Sequence, residues 1–255
     1  MNNEETLIPG PSPRGRREKE RSCSSLPMGE GLGVRVLSVH QPQYIPWLGY
    51  FDKIKNSDLF VYLDCCQYKH REFQNRNRIW TTNGELWLAV PVLVKGRREQ
   101  RIKDVMINND SRWAESHWRS IKTVYAKAPY FDEHEEVFSD IYLKKEWRFL
   151  MDLNIEITSY LLKCFDINTP VRLESDIGTE SLSTERIAQL CEKTGSNVYL
   201  SGSGAKAYLD EKYLLDKGIE TKWQDFQHPE YLQFNNNGNF VPYMSALDCI
   251  FNCEL

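Results

Sequence analysis

The sequence has no run approaching the ~18 consecutive apolar residues of a helical membrane span. It also has no block of positive charge. Its 32 Lys+Arg are set against 36 Asp+Glu, a formal net charge of −4. That argues against a dedicated duplex-DNA binder, which needs a phosphate-neutralising face. There is little sign of a disulfide framework. The seven cysteines (Cys23, Cys65, Cys66, Cys164, Cys191, Cys249 and Cys253) are odd in number and scattered. None forms the paired Cys-x-x-Cys clusters of a structural zinc site. They read as reduced thiols of a cytoplasmic protein, packing as small hydrophobes. His70, His117, His134 and His228 show no ligand spacing, so no zinc site is expected. Gly-x-Ser-x-Gly, the triphosphate-binding Gly-x-x-x-x-Gly-Lys-Ser/Thr and the three-glycine dinucleotide fingerprint are all missing.

What is present divides into two parts. Residues 1–33 carry five basic and five acidic side chains and no aromatic one. Such a segment cannot bury enough apolar surface to offset chain entropy, and it reads as a disordered N-terminal extension. It lacks the apolar stretch of a secretory signal. The other 222 residues, 34–255, hold all seven tryptophans and read as a single α/β domain.

Within that domain, Val34–Val39 is a β-branched strand pattern followed by a Pro-containing loop, His40–Pro46. Trp47, Tyr50, Phe51 and Ile54 then recur at helical spacing, and Leu59–Leu63 is a second buried strand. Strand, loop, short helix and strand make a βαβ unit with parallel strands. Phe73–Trp80 and Leu86–Val92 flank Asn83-Gly84 as a hairpin, and Ile102–Ile107 reads as one more strand. Residues 111–168 are mainly helical, with a long helix expected over Leu143–Phe165. The last third returns to strand and helix: Val171–Leu173, then Ser183–Thr194 closed by Gly195, then Val198–Leu200, and a helix from about Lys206. The fold expectation is a three-layer Rossmann-like parallel sheet with a helical insertion.

Open parallel sheets bind ligands outside the carboxyl ends of their strands, which selects four candidate groups. His40 ends the first strand, where imidazole can donate to phosphate or act as acid or base; Gln41, Tyr44, Gly49 and Tyr50 share its loop and helix. Asp64 ends the second strand, placed to orient a substrate or hold a cation, with Gln67 beside it. Asn75-Arg76-Asn77-Arg78 is dense in donors suited to phosphate, although its alternation also fits a solvated strand face. Ser201-Gly202-Ser203-Gly204 joins a strand to a helix, where backbone N–H groups can face an anion; the plain alternative is a tight turn. Arg76, Arg78, Lys95, Arg97, Arg98 and Arg101 interleave with Trp80 and Trp87, but the run is short for nucleic-acid binding and the net charge opposes it.

The segment His40-Gln41-Pro42-Gln43-Tyr44-Ile45-Pro46-Trp47-Leu48-Gly49-Tyr50-Phe51 resembles the opening of the WbqC-like protein family. Asp64–Tyr68, Asn75–Ile79, Lys127–Phe131, Tyr199–Ala205 and Asp248–Asn252 resemble its later motifs, in order, from about Val36 onward. The resemblance implies a bacterial-type protein often associated with surface-polysaccharide gene clusters. A second likeness is to the His-x-Gly-His region of nucleotidylyltransferases. Trp47 and Tyr50 stand where that motif has its histidines, so the likeness extends to a phosphate cradle and not to that chemistry. Together these readings give an expected transferase with His40 and Asp64 as catalytic groups. It would use a nucleotide-linked or otherwise activated donor, with magnesium (Mg2+), in glycan-precursor synthesis. The alternative is a non-catalytic ligand- or partner-binding protein of the same pathway. The expected partner is a small-molecule substrate, without nucleic acid and without a membrane span.

Overall fold

The computed structural model describes residues 33–97, 99–234, 236 and 238–255. The reading of residues 1–33 as a disordered extension therefore concerns, Gly33 apart, a segment outside the described residues. In chain order the first elements are β1 (Val36–His40), α1 (Leu48–Lys55), β2 (Leu59–Tyr62), β3 (Arg76–Thr81) and β4 (Gly84–Ala89). A helical block follows: α2 (Trp113–Tyr125), α3 (Phe131–Ser139) and α4 (Leu150–Cys164). The last elements are β5 (Val171–Leu173), α5 (Glu174–Ile177), α6 (Ser183–Thr194), β6 (Val198–Ser201), α7 (Glu211–Asp216), β7 (Glu220–Trp223) and α8 (Ala246–Asn252).

Five strands form one sheet in the order β5-β2-β1-β6-β7, with every neighbouring pair parallel. Successive side chains of a strand face opposite ways, and here both ways are apolar. Leu37, Val39, Leu59 and Val61 pack with Ile187 and Leu190 of α6 and Leu214 of α7. Phe60 and Tyr62 join Tyr50, Phe51 and Ile54 of α1 and the residues of α2, α3, α4 and α8. This is a three-layer Rossmann-like α/β fold. A sheet covered on both faces explains why its strands read as continuous apolar runs. The β3–β4 hairpin is a separate antiparallel pair whose Ile79 and Leu88 belong to the α1 side of the core. Gly195 ends α6 at φ 66°, a left-handed turn that glycine adopts without a Cβ clash.

Three expected elements differ. Ile102–Ile107 is a 3₁₀ turn over Ile102–Asp104 with isolated bridges at Met106 and Ile107. Its buried residues are Ile102, Val105 and Ile107, a spacing that is not the period of two a strand requires. The Leu143–Phe165 helix begins only at Leu150. The Ile107 N–H donates to Arg148 O (3.0 Å) and Leu150 N–H to Val105 O (2.9 Å), which holds the preceding segment extended. No α-helix starts at Lys206. Ser203–Ala205 makes one 3₁₀ turn, and α7 starts after Asp210, whose carboxylate caps it by accepting from Tyr213 N–H (2.9 Å).

The C-terminal segment is fixed to the helical layer by Asp248 of α8, 2% exposed. Its carboxylate accepts from Tyr125 Oη (2.8 Å), Tyr231 Oη (2.9 Å) and Gln233 Nε2 (2.8 Å). Truncation would leave these donors unsatisfied in a dry site. Asp248→Ala is expected to lower stability by about 3 kcal/mol in urea unfolding. A loss under about 1 kcal/mol would show that the carboxylate does not hold the terminus.

Candidate functional site

The sheet order places β1 centrally, with β2 and β5 added on one side and β6 and β7 on the other. The winding reverses between β1 and β6, and in folds of this class the crevice for ligands opens at that reversal, beyond the carboxyl ends. A cavity of about 430 Å³ lies there. That is within the range of small-molecule sites. Its walls come from the end of β1 (Val39, His40, Gln41), the loop after β6 (Ser201, Gly202, Gly204, Ala205), α6 (Ser183, Arg186, Ile187) and Lys53 of α1. Leu63, Cys66, Lys69 and Tyr208 are among the other lining residues.

Lys53 sets the electrostatics. It is 5% exposed, and its ammonium donates to the Val39 carbonyl oxygen (3.0 Å). Among the described residues no carboxylate pairs with it. It lies directly beneath the glycine loop, since a methyl group placed on Gly202 would stand 4.0 Å from its Nζ. Burial without a counter-charge disfavours the charged form and lowers its pKa from 10.5 to about 7.

His40 is half-buried at the crevice with a pKa lowered to about 3, first by burial and then by the Lys53 charge. Its Nδ1 lies 3.0 Å from the Gln41 carbonyl oxygen, which can only accept; Nδ1 therefore carries the proton and Nε2 the lone pair. At neutral pH it is a neutral hydrogen-bonding group, so the positive charge of the crevice comes from Lys53, Lys69 and Arg186. Tyr50 supports this loop from behind, with its ring edge-on to His40 at 5.0 Å and its hydroxyl donating to Gln41 O (3.2 Å).

Arg186 supplies a second fixed charge. Its Nε reaches Glu174 Oε1 (3.1 Å) and its Nη1 contacts Cys66 Sγ (2.6 Å). Ser183, the first residue of α6, adopts φ 55°, an uncommon conformation for a residue with a Cβ.

The other expected residues fall elsewhere. Ser203 is exposed on the 3₁₀ turn, so the Gly202–Gly204 loop faces the crevice without a helix behind it. Tyr44 is wholly buried, its hydroxyl shared with Tyr142 (2.6 Å) and His117 (2.8 Å). Gly49 leaves room for the Trp47 indole, whose ring would lie 2.2 Å from an added Cβ. Asn75 and Asn77 are buried and donate to backbone carbonyls of Val90 (3.0 Å) and Ile45 (2.8 Å). Arg76 and Arg78 lie over the Trp87 ring at 4.6 and 5.9 Å, and Arg78 pairs with Glu85. The strand alternation is thus as read, but it does not deliver these side chains to the crevice. Gln67 is exposed and bridges to Arg101. Asp64 is fully buried behind the crevice wall, with Cys65 and Glu174. Lys53 and Arg186 were not singled out in the sequence. The available signal was that Lys53 lies one helical turn beyond Gly49, on the arc facing the glycine loop.

Fold and site together define a doubly wound α/β protein with a small, cation-lined crevice at its switch point. Residues 41–255 match the profile of the WbqC-like protein family. A relative in Mycobacterium tuberculosis, described as "Uncharacterized protein Rv1507c", is 36% identical over 220 residues, covering 86% of this chain and 94% of that one. The chain belongs to the WbqC-like family. No solved structure matches it significantly.

The unpaired lysine should cost stability. Its folded pKa of about 7 lies below the 10.5 of the unfolded chain. Between those values the unfolded chain binds the extra proton, so the cost grows as pH falls through this window and is complete below pH 7. Lys53→Met is expected to raise Tm by about 2–4 °C or more at pH 6, with the gain shrinking toward pH 10. An equal or lower Tm at both pH values would contradict the burial of an unpaired ammonium.

Proposed function

We propose that the crevice holds the phosphate portion of a nucleotide-linked or otherwise activated donor, and that the protein transfers the attached group in making a precursor of a surface polysaccharide. The observation that carries this reading is the Lys53 ammonium, buried at the switch point with no carboxylate paired to it among the described residues. A protein keeps such a charge where a ligand supplies the opposite one, and a dry site strengthens that attraction. Arg186, Lys69 and the Gly202–Gly204 loop line the same space and add donors. His40, neutral and carrying its lone pair on Nε2, would accept a hydrogen bond from the donor or acceptor hydroxyl. The polysaccharide setting comes from the family resemblance alone.

One observation favours the alternative of a ligand-binding protein without turnover. Asp64, expected beside His40 in the crevice to orient the acceptor or hold a cation, lies outside the crevice lining. One experiment separates the two. Pyrophosphate, uridine diphosphate and UDP-glucose are titrated calorimetrically at pH 6.5, and bound nucleotide sugar is followed for turnover with crude glycan-lipid acceptor. At least one of the three should bind, with affinity about tenfold weaker in Lys53→Met, a difference of about 1.4 kcal/mol. Affinity should also fall between pH 6.5 and 8.5 as Lys53 loses its proton. Product formation supports transfer, and binding without product supports the alternative. Absence of binding by all three probes would overturn the anion reading of the crevice.

A further inference from the structure

Behind the crevice wall, the carboxyl ends of the adjacent strands β2 and β5 bring Asp64 and Glu174 together with Cys65. One oxygen of each carboxylate and the Cys65 Sγ all lie within 4.8 Å of one another. Both acidic side chains are 0% exposed. Each has one oxygen in use. Asp64 Oδ1 accepts from Ser175 N–H (3.0 Å), while Glu174 Oε1 accepts from Thr179 Oγ1 (2.5 Å) and Arg186 Nε (3.1 Å). Asp64 Oδ2 and Glu174 Oε2 are buried with no hydrogen-bond partner. A buried anionic oxygen without a partner is strongly disfavoured unless a cation or proton meets it. The backbone here is held from outside, because Lys103 N–H donates to Asp64 O (3.0 Å) and Ile102 N–H to Cys66 O (2.9 Å). The Cys65 thiol is half-buried beside the two carboxylates.

We infer that Asp64, Cys65 and Glu174 form a three-ligand site for a zinc-class divalent cation. A thiolate with two carboxylates suits zinc or cobalt and not magnesium, which takes oxygen ligands and waters. Zinc bonds of about 2.3 Å to sulfur and 2.0–2.2 Å to oxygen place tetrahedral ligand atoms roughly 3.5 Å apart. Side-chain rotation of about an ångström closes the set. Three protein ligands leave the fourth position open, the pattern of catalytic and not structural zinc. The cation binds as the Cys65 thiol gives its proton to solvent, so binding strengthens with pH. The site is joined to the crevice through the Glu174–Arg186 pair. It rests on these three residues and not on the anion reading of the crevice, so each inference can fail alone.

The test uses the full chain, stripped with chelator and titrated with ZnCl2 by calorimetry and with CoCl2 by absorption. One ion per chain is expected, with a thiolate-to-cobalt charge-transfer band in the near ultraviolet. Cys65→Ser, a small change on a half-buried loop, should keep the fold and abolish the band. It should weaken zinc binding by no less than the roughly 10–100-fold that loss of an outer-shell partner costs. Asp64→Asn and Glu174→Gln should each weaken binding similarly, with folding checked by circular dichroism. The wild-type and Cys65→Ser data decide the matter if either fails to fold. Absence of zinc binding, cobalt binding without the thiolate band, or binding unchanged in Cys65→Ser overturns the site.

Discussion

The arrangement at the switch point depends on one uncompensated charge. Lys53 is carried by α1 into the junction between β1, its own helix and the loop after β6, where among the described residues no carboxylate pairs with it. His40 is kept neutral first by its burial and then by that ammonium, Val39 spends its carbonyl lone pair on it, and the Gly202 backbone passes close above it. An isolated buried cation opposes folding and persists only in a well-determined surround. The parallel sheet provides that surround, since β1 is locked between β2 and β6 by register on both sides.

The same topology explains why two sites of different chemistry lie side by side. Both occupy carboxyl ends of strands, where chain turns and unpaired backbone groups gather. The β1–β6 end opens to a cavity lined by Lys53, Arg186 and the glycine loop. The β2–β5 end is closed and acidic, with Asp64 and Glu174 facing one another. Arg186 of α6 touches both, through Glu174 on one side and the crevice on the other. A charge change at either end would therefore be felt at the other through a single guanidinium.

Much of the fold was legible because local pattern and tertiary role coincide. The β1-α1-β2 unit declared itself through β-branched runs and the Tyr50, Phe51, Ile54 stripe, and Gly195 marked the end of α6. The failures have a common cause. Arg148–Leu150 and Ile102–Ile107 are tied by backbone hydrogen bonds to each other, and the latter also to Asp64, Cys66 and Leu93, which no local periodicity encodes. At the site, strand-end logic found His40 and the Gly202–Gly204 loop. It missed Lys53 because a lysine in Asp52-Lys53-Ile54-Lys55 reads as a solvated charge. Asn75 to Arg78 misled for the converse reason: donor density suggested phosphate, while Asn75 and Asn77 serve neighbouring carbonyls and the arginines cover Trp87. Asp64 follows the end of β2 by two residues, and Glu174 is 110 residues away in sequence and adjacent only through β2–β5 pairing.

The claim on which the rest turns is that Lys53 is a buried, unpaired ammonium awaiting an anion, and its titration tests that most directly. In protein labelled at lysine Cε and Nζ, nuclear magnetic resonance follows each ammonium through a pH series, with Lys53→Met assigning the signal. The account requires one lysine, absent from the variant, to titrate near 7 and to move upward when pyrophosphate or UDP-glucose is added. If every lysine titrates near its ordinary value of about 10.4, with no response to either anion, Lys53 is a solvated side chain and the account of the crevice is wrong.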